Sequence, residues 1–222
     1  CPGDPSPPPQ LSPPPLPPLV PGEAVARTPQ DIQVEIDKAT AENRNAIVYV
    51  PPGARLEFGG KVKCSGDMHL SVRSSGEGAT LDGKKSSSMF DISSGCSLSL
   101  EALHFVDGRG DDGGAVRAVG AGDIAMKDVT FTGCEASRFG GGMYVYNSGD
   151  VALEGASFSE CTAQYGGGMR VHNSGDASLE GASFSECTAV QYGGAVMVDD
   201  SGDVSLEGAS VVRCTSGSQA AL

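Results

Sequence analysis

From about residue 97 onward the apolar positions alternate with polar ones in short runs, and no helical stripe is sustained. Met143 and Val145, Val151 and Leu153, and Ala156 and Phe158 are each two apart, the period of a strand with one buried face. The pattern then repeats. Gly113-Gly114 recurs as Gly140-Gly141, Gly166-Gly167 and Gly193-Gly194, and Asp123 recurs as Asp150, Asp176 and Asp203. Phe131 recurs as Phe158, Phe184 and Val211, and Cys134 as Cys161, Cys187 and Cys214. Every landmark advances by 27, 26 and 27 residues, with 10 residues from Gly-Gly to Asp and 11 from Asp to Cys each time. All the slack lies between Cys and the next Gly-Gly, which reads as a variable turn, while the rest is held in register.

Two solenoids have periods of this size. Leu153-x-x-Ala156-x-Phe158-x-x-Cys161 fits a leucine-rich repeat, which needs a helical return segment. The return here, residues 140–150 (Gly-Gly-Gly-Met-Tyr-Val-Tyr-Asn-Ser-Gly-Asp), is dense in Gly and alternates, so it is a poor helix. Three short strands per coil, separated by turns, make a right-handed parallel β-helix instead. The pattern continues upstream less regularly: Ala46–Val50 runs into Pro51-Pro52-Gly53, and Leu98, Leu100, Leu103 and Phe105 take the places of Val151, Leu153, Ala156 and Phe158. Residues 45–222 then make roughly seven coils, a body about 34 Å long at the ~4.8 Å strand spacing.

Ahead of the repeats lies one helical signature. Thr28 is the expected N-cap, Pro29 takes the first helical position and Asp31 the third. Ile32, Ile36 and Ala39 follow as one apolar stripe, suited to covering the open end of a solenoid. Twelve of the 14 Pro fall at or before Pro29. Pro5–Pro21 can enter neither a helix nor a sheet interior, and is expected to form a polyproline II arm about 50 Å long. The chain therefore divides into an arm at 1–27 and an all-β solenoid with its helical cap at 28–222.

Composition narrows the function. The 222 residues carry 15 Lys+Arg against 28 Asp+Glu, a net charge of −13 with no basic cluster, which argues against nucleic acid and anionic membranes. No run approaches the ~18 apolar residues of a spanning helix. Seven Cys in a small acidic chain suit an oxidising, extracellular or cell-surface setting.

Two resemblances follow from the residues. Gly193-Gly194-Ala195-Val196 and Phe158-x-x-Cys161 resemble the GGA(I/L/V) and FxxN repeats of the polymorphic outer-membrane protein type, and more broadly the pectate-lyase-like β-helix superfamily. Cys stands where that repeat has Asn in all four copies, and the family's membrane-embedded barrel is absent. The units Ser6-Pro7-Pro8-Pro9 and Ser12-Pro13-Pro14-Pro15 resemble extensin-like, hydroxyproline-rich glycoproteins. That resemblance implies prolyl hydroxylation and O-linked sugars on the arm.

The Cys row is the most specific chemistry. Equivalent positions in adjacent coils lie about 4.8 Å apart, inside the Cα window of a disulfide. Cys134–Cys161 and Cys187–Cys214 are thus candidate staples, and four buried thiols serving as small apolar residues are the alternative. Cys64 and Cys96 are a third candidate pair, which leaves Cys1 for intermolecular bonding. Asp123, Asp150, Asp176 and Asp203 form an acidic row, as do Glu154, Glu180 and Glu207. Calcium would relieve the repulsion, and so would acceptance of turn N–H groups on a solvated face. No cofactor is called for. Phe139, Tyr165 and Tyr192 each precede a Gly-Gly pair and should stack on one edge, either as ladder packing or as a platform for sugar rings.

No catalytic constellation stands out. Gly110-Asp111-Asp112 lacks the N-T-D, G-H-G and R-I-K partners of polygalacturonases, and His69, His104 and His172 are scattered singles. The reading is a secreted structural or cell-surface protein with a glycosylated arm. A carbohydrate-binding or polysaccharide-degrading β-helix is the alternative. With a helix on the first coil and no cap signature after the last, head-to-tail self-association into filaments is expected.

Overall fold

A computed structural model of the chain describes residues 19–217; Cys1 and the SPPP residues Ser6 to Pro9 and Ser12 to Pro15 lie outside them. The repeats wind into an all-parallel, right-handed β-helix. One regular coil runs Ile124–Lys127, Thr130–Thr132, Glu135–Phe139 and Met143–Tyr146, after which Val151–Glu154 begins the next. These four strands belong to four walls, here called sheets A, B, D and C in chain order, with eight, seven, five and six strands among the described residues. The corners are tight because single residues adopt positive φ, as at Asp128 (51°) between sheets A and B and Glu160 (54°) between B and D.

The observed coil has one strand more than the alternation suggests. Between Cys134 and Gly140 the chain forms Glu135–Phe139 of sheet D rather than a turn. Sheet D also absorbs the 27-versus-26 slack. Phe139 pairs with Tyr165 and Tyr165 with Tyr192 across register shifts, so the extra residue becomes a bulge and both flanking corners stay aligned. Arg109-Gly110-Asp111, an RGD tripeptide, likewise lies on a strand of this sheet.

Inward residues form columns through the core. Phe105, Phe131, Phe158 and Phe184 stack at centroid separations of 5.0, 4.5 and 4.9 Å. Leu100, Met126, Leu153 and Leu179 run parallel to them in sheet A. Turns are laddered too. The Asp123, Asp150 and Asp176 carboxylates each accept the backbone N–H of the next Asp in the row, at 3.1, 2.9 and 2.9 Å. Ser148 and Ser174 Oγ accept N–H groups one coil below. The acidic row is thus held by backbone donors.

At the first coil the helix Pro29–Ala41 buries Ile32, Ile36 and Ala39 against the core. Its capping box is complete: Thr28 Oγ1 accepts from the Asp31 N–H, and the Asp31 carboxylate accepts from the Thr28 and Arg27 N–H groups. Those donors, that of Arg27 foremost, hold the Asp31 carboxyl below its ordinary 3.8. A depressed folded-state value gives stability that is present above the ordinary value and lost as pH falls through the folded one. Thr28→Ala should cost about 1 kcal/mol but keeps both backbone donors, so the pH-dependent share should show in Asp31→Asn, whose penalty in urea melts should shrink below the ordinary Asp31 value.

The folded body starts earlier than Thr28. Ala24–Val25 adds a strand to the edge of sheet A, and the wholly buried Glu23 carboxylate takes two hydrogen bonds from Arg73, at 2.6 and 2.7 Å. Burial of the Arg73 guanidinium is more than offset by that bond, and its pKa is raised. At the opposite end the last described coil exposes Val204, Leu206, Val211 and Val212. Among the described residues no helix is long and apolar enough to cross a membrane.

Candidate functional site

The Cys row is in place but unbridged. Cys134, Cys161, Cys187 and Cys214 are free thiols, the first three buried. Each Sγ donates to the carbonyl two residues earlier, at 3.4–3.6 Å. All four sit in the corner between sheets B and D, and equivalent corner residues between in-register strands aim the same way, so neighbouring Cβ atoms keep about the ~4.8 Å strand spacing. A disulfide needs Cβ atoms about 3.5–4.5 Å apart. The Cα distance suits a bond and the side-chain direction does not, which corrects the expectation of Cys134–Cys161 and Cys187–Cys214 staples. Hydrogen bonding with the Cys134 and Cys187 thiols, together with burial, pushes the Cys161 thiol well up, which suits an inert core residue.

Cys64 and Cys96 are joined. Cys64 sits on Val62–Ser65 of sheet C and Cys96 in the corner leading to Ser97–Glu101 of sheet A, so the two side chains meet from different walls. The bond closes a separation of 32 residues, and Cys96→Ser should cost about 3–4 kcal/mol in thermal unfolding. Thiol labelling of native protein should leave Cys134, Cys161 and Cys187 unmodified until denaturant is added.

Phe139, Tyr165 and Tyr192 stack along the corner between sheets D and C, with centroids 5.6 and 6.0 Å apart. The fold adds a second set of rings that spacing alone did not single out. Tyr144, Tyr146 and His172 stand on the outer face of sheet C, Tyr146 directly under His172 in register. Phe139 and Tyr144 are 5.2 Å apart, Tyr144 and Tyr146 6.3 Å, and Tyr146 and His172 5.3 Å.

Arg170 joins the two sets. Its guanidinium lies 4.3 Å from the Phe139 ring and 5.6 Å from that of Tyr165, and its N–H groups donate to both Asp199 oxygens at 3.2 and 3.0 Å. His172 Nδ1 is 2.6 Å from Asp199 Oδ2 and 3.8 Å from Asp200 Oδ2. Tyr146, His172 and Asp199 lie 26 and 27 residues apart, so adding the repeat period to Tyr146 leads to His172 and then Asp199, whereas Arg170 is off that period from both Asp199 and Phe139. That period is the signal by which the sequence could have found His172 and Asp199.

At the foot of the edge, Asp112 pairs in register with Phe139. Its Oδ2 accepts from Arg138 at 2.8 Å, while Oδ1 is buried with no hydrogen-bond partner. Burial pushes the Tyr144 phenol above its ordinary value, so it stays a donor. Tyr146 and Tyr192 are 37% and 46% exposed. The arrangement is a ringed, hydrogen-bonding surface whose cations are already paired.

A shallow groove of about 350 Å³ also runs along sheet A, floored by Ser99, Ala125 and Ala152 and rimmed by Glu101, Lys127 and Glu154. Its Lys127 is spent on Glu154 at 2.7 Å, and it presents no ring to a ligand. The aromatic edge carries the more specific chemistry.

No curated protein is similar enough to match this chain. A crystal structure described as a "putative glycosyl hydrolase" from Parabacteroides merdae ATCC 43184 aligns with a TM-score of 0.43 at 10% identity, over 88% of this chain and 98% of that one, a likeness too distant to carry an argument. Residues 113–220, where the repeat is most regular, match the family described as right handed beta helix region.

Proposed function

We propose that the protein is an extracellular β-helix that holds extended, neutral glycans along its aromatic edge. The observation that carries this reading is the coil-by-coil recurrence of a ring, Phe139, Tyr165 and Tyr192, at 5.6 and 6.0 Å. That spacing is close to the length of one sugar residue, so consecutive sugars of an extended chain could each face a ring. Aromatic faces supply apolar area at small entropic cost, and tyrosine hydroxyls add donors. The Cys64–Cys96 disulfide supports an oxidising compartment.

Charge selects among glycans. The net charge is −13, and Arg138 and Arg170 beside the rings are paired with Asp112 and Asp199. A polyuronate would meet repulsion and no free cation, whereas a neutral β-glucan or mannan would meet neither obstacle. Titration calorimetry over neutral and acidic polysaccharides tests the reading. Neutral chains should bind with little salt dependence, and Tyr192→Ala should weaken binding about 5- to 30-fold, the equivalent of roughly 1–2 kcal/mol. Tighter binding of polygalacturonate, or unchanged affinity in Tyr192→Ala, would count against it.

A further inference from the structure

We infer that the thiol row is a binding site for soft, two-coordinate cations of the Cu(I) kind, each held in line between the sulfurs of adjacent coils. The inference does not depend on whether the aromatic edge binds glycans.

The ladder fixes where the sulfurs stand. Thr132, Ser159 and Ser185 pair in register just before the Cys positions, and Thr162, Thr188 and Thr215 just after them. The carbonyls of Cys134, Cys161 and Cys187 accept the N–H groups of Thr162, Thr188 and Thr215, at 2.9 Å in every case. The step from coil to coil is therefore uniform along the row. The two central sulfurs also aim into the gaps. Cys161 Sγ reaches the carbonyls of Ser159 in its own coil and Phe131 in the coil below, at 3.4 and 3.6 Å. Cys187 Sγ reaches those of Ser185 and Phe158, both at 3.5 Å.

Distance then selects the ligand. A sulfur–sulfur bond is about 2.05 Å, less than half the ~4.8 Å between coils. Two thiolate–metal bonds of about 2.3 Å placed end to end span about 4.6 Å, and so bridge the gap with the side chains aimed as they are. Donor number selects further. Each gap offers two sulfurs, whereas Zn²⁺ takes four ligands, and thiolates prefer Cu(I) to hard cations. One sulfur takes one ion, because ions on both of its sides would force metal, sulfur and metal into a line, far from the bent angle that sulfur favours. Four thiols therefore hold two ions. Each ion displaces two thiol protons to solvent and forms two S–Cu bonds. No electron is transferred, and each bonded pair carries one negative charge.

Access agrees with size. Cys134, Cys161 and Cys187 are buried, and Cys214 is partly exposed. The row is thus closed to bulky thiol reagents, yet open beside Cys214 to a single ion. From there an ion passes inward from thiol to thiol, each one coil from the next.

Adjacency supplies the test. Cys1 lies outside the described residues and is replaced by Ser in every sample, which leaves the row and the Cys64–Cys96 disulfide. This parent is titrated anaerobically with Cu(I) against bicinchoninate, a chelator that withdraws copper from single thiols. It should retain two ions, and its copper X-ray absorption should show two sulfur neighbours with no nitrogen or oxygen. Two double variants then keep two thiols each. Cys134→Ser with Cys161→Ser leaves the adjacent Cys187 and Cys214, and should retain one ion. Cys134→Ser with Cys187→Ser leaves Cys161 and Cys214 two coils apart, and should retain none. Circular dichroism checks that both variants fold, and the parent's copper count and neighbours decide the matter if either does not. Equal retention by the two folded variants would overturn the inference. So would nitrogen or oxygen neighbours in the parent, or Zn²⁺ held by it as tightly as Cu(I).

Discussion

Gly141→Ala should leave little folded protein at 37 °C, whereas Gly181→Ala should melt only a few degrees early. A Cβ on Gly141 would lie 2.1 Å from Gly167 O, 2.6 Å from Thr162 N and 2.7 Å from Thr162 O. All three are backbone atoms of the next coil, so relief requires parting the stack rather than turning a side chain. Overpacking by even one methyl into well-packed surroundings costs about 1–3 kcal/mol and sometimes more. Here the clash is with the ladder itself, and the upper end or beyond is expected. Gly181 has φ +62 and nothing nearer than 3.9 Å to its would-be Cβ, so its alanine bears only the left-handed backbone cost of about 1–2 kcal/mol. Equal Tm values for the two variants would show that the coils can part at the Gly-Gly corner, contrary to the close approach described above.

Phe158→Ala is the second large effect. Phe158 is almost wholly buried and stacks on Phe131 at 4.5 Å and on Phe184 at 4.9 Å, nearly parallel to both. Removing the ring takes away two aromatic faces together and opens a void inside a narrow tube whose walls are fixed by hydrogen-bonded strands. Phe→Ala changes in cores cost about 3–5 kcal/mol, and the rigidity of the walls places this one toward the upper part. Phe184→Ala should cost less, because its neighbour in the last described coil is Val211, 44% exposed. Chemical denaturation of the two variants would show the ordering, and a reversed order would mean that the aromatic column does not organise the core.

Much of the fold was legible beforehand for a simple reason. A solenoid converts sequence period into spatial adjacency, so the invariant 10- and 11-residue spacings between Gly-Gly, Asp and Cys named residues that sit one above the other. The inward set Met143, Val145, Val151, Leu153, Ala156 and Phe158 followed from alternation, and all six are buried. The helix was legible from local chemistry, since Thr28, Pro29 and Asp31 act within one turn of one another. The aromatic row was legible as well, because Phe139, Tyr165 and Tyr192 keep their place before each Gly-Gly pair.

What period could not supply was direction and lateral neighbourhood. Alignment along the stack puts Cys161 above Cys134, yet only the common inward aim of parallel side chains decides that the thiols donate to carbonyls and are not joined by a disulfide. The strand Glu135–Phe139 was hidden because its length varies by one residue between coils, and strand and bulge are distinguished only when the partner strands are present. The meeting of Arg170 with Phe139, and of Cys64 with Cys96, depends on how far the chain turns at each corner. By itself the sequence determined which residues stack, because stacking repeats the period. The tertiary structure decided which stacks face each other across a corner, because that depends on the backbone angles of single turn residues and leaves no trace in spacing.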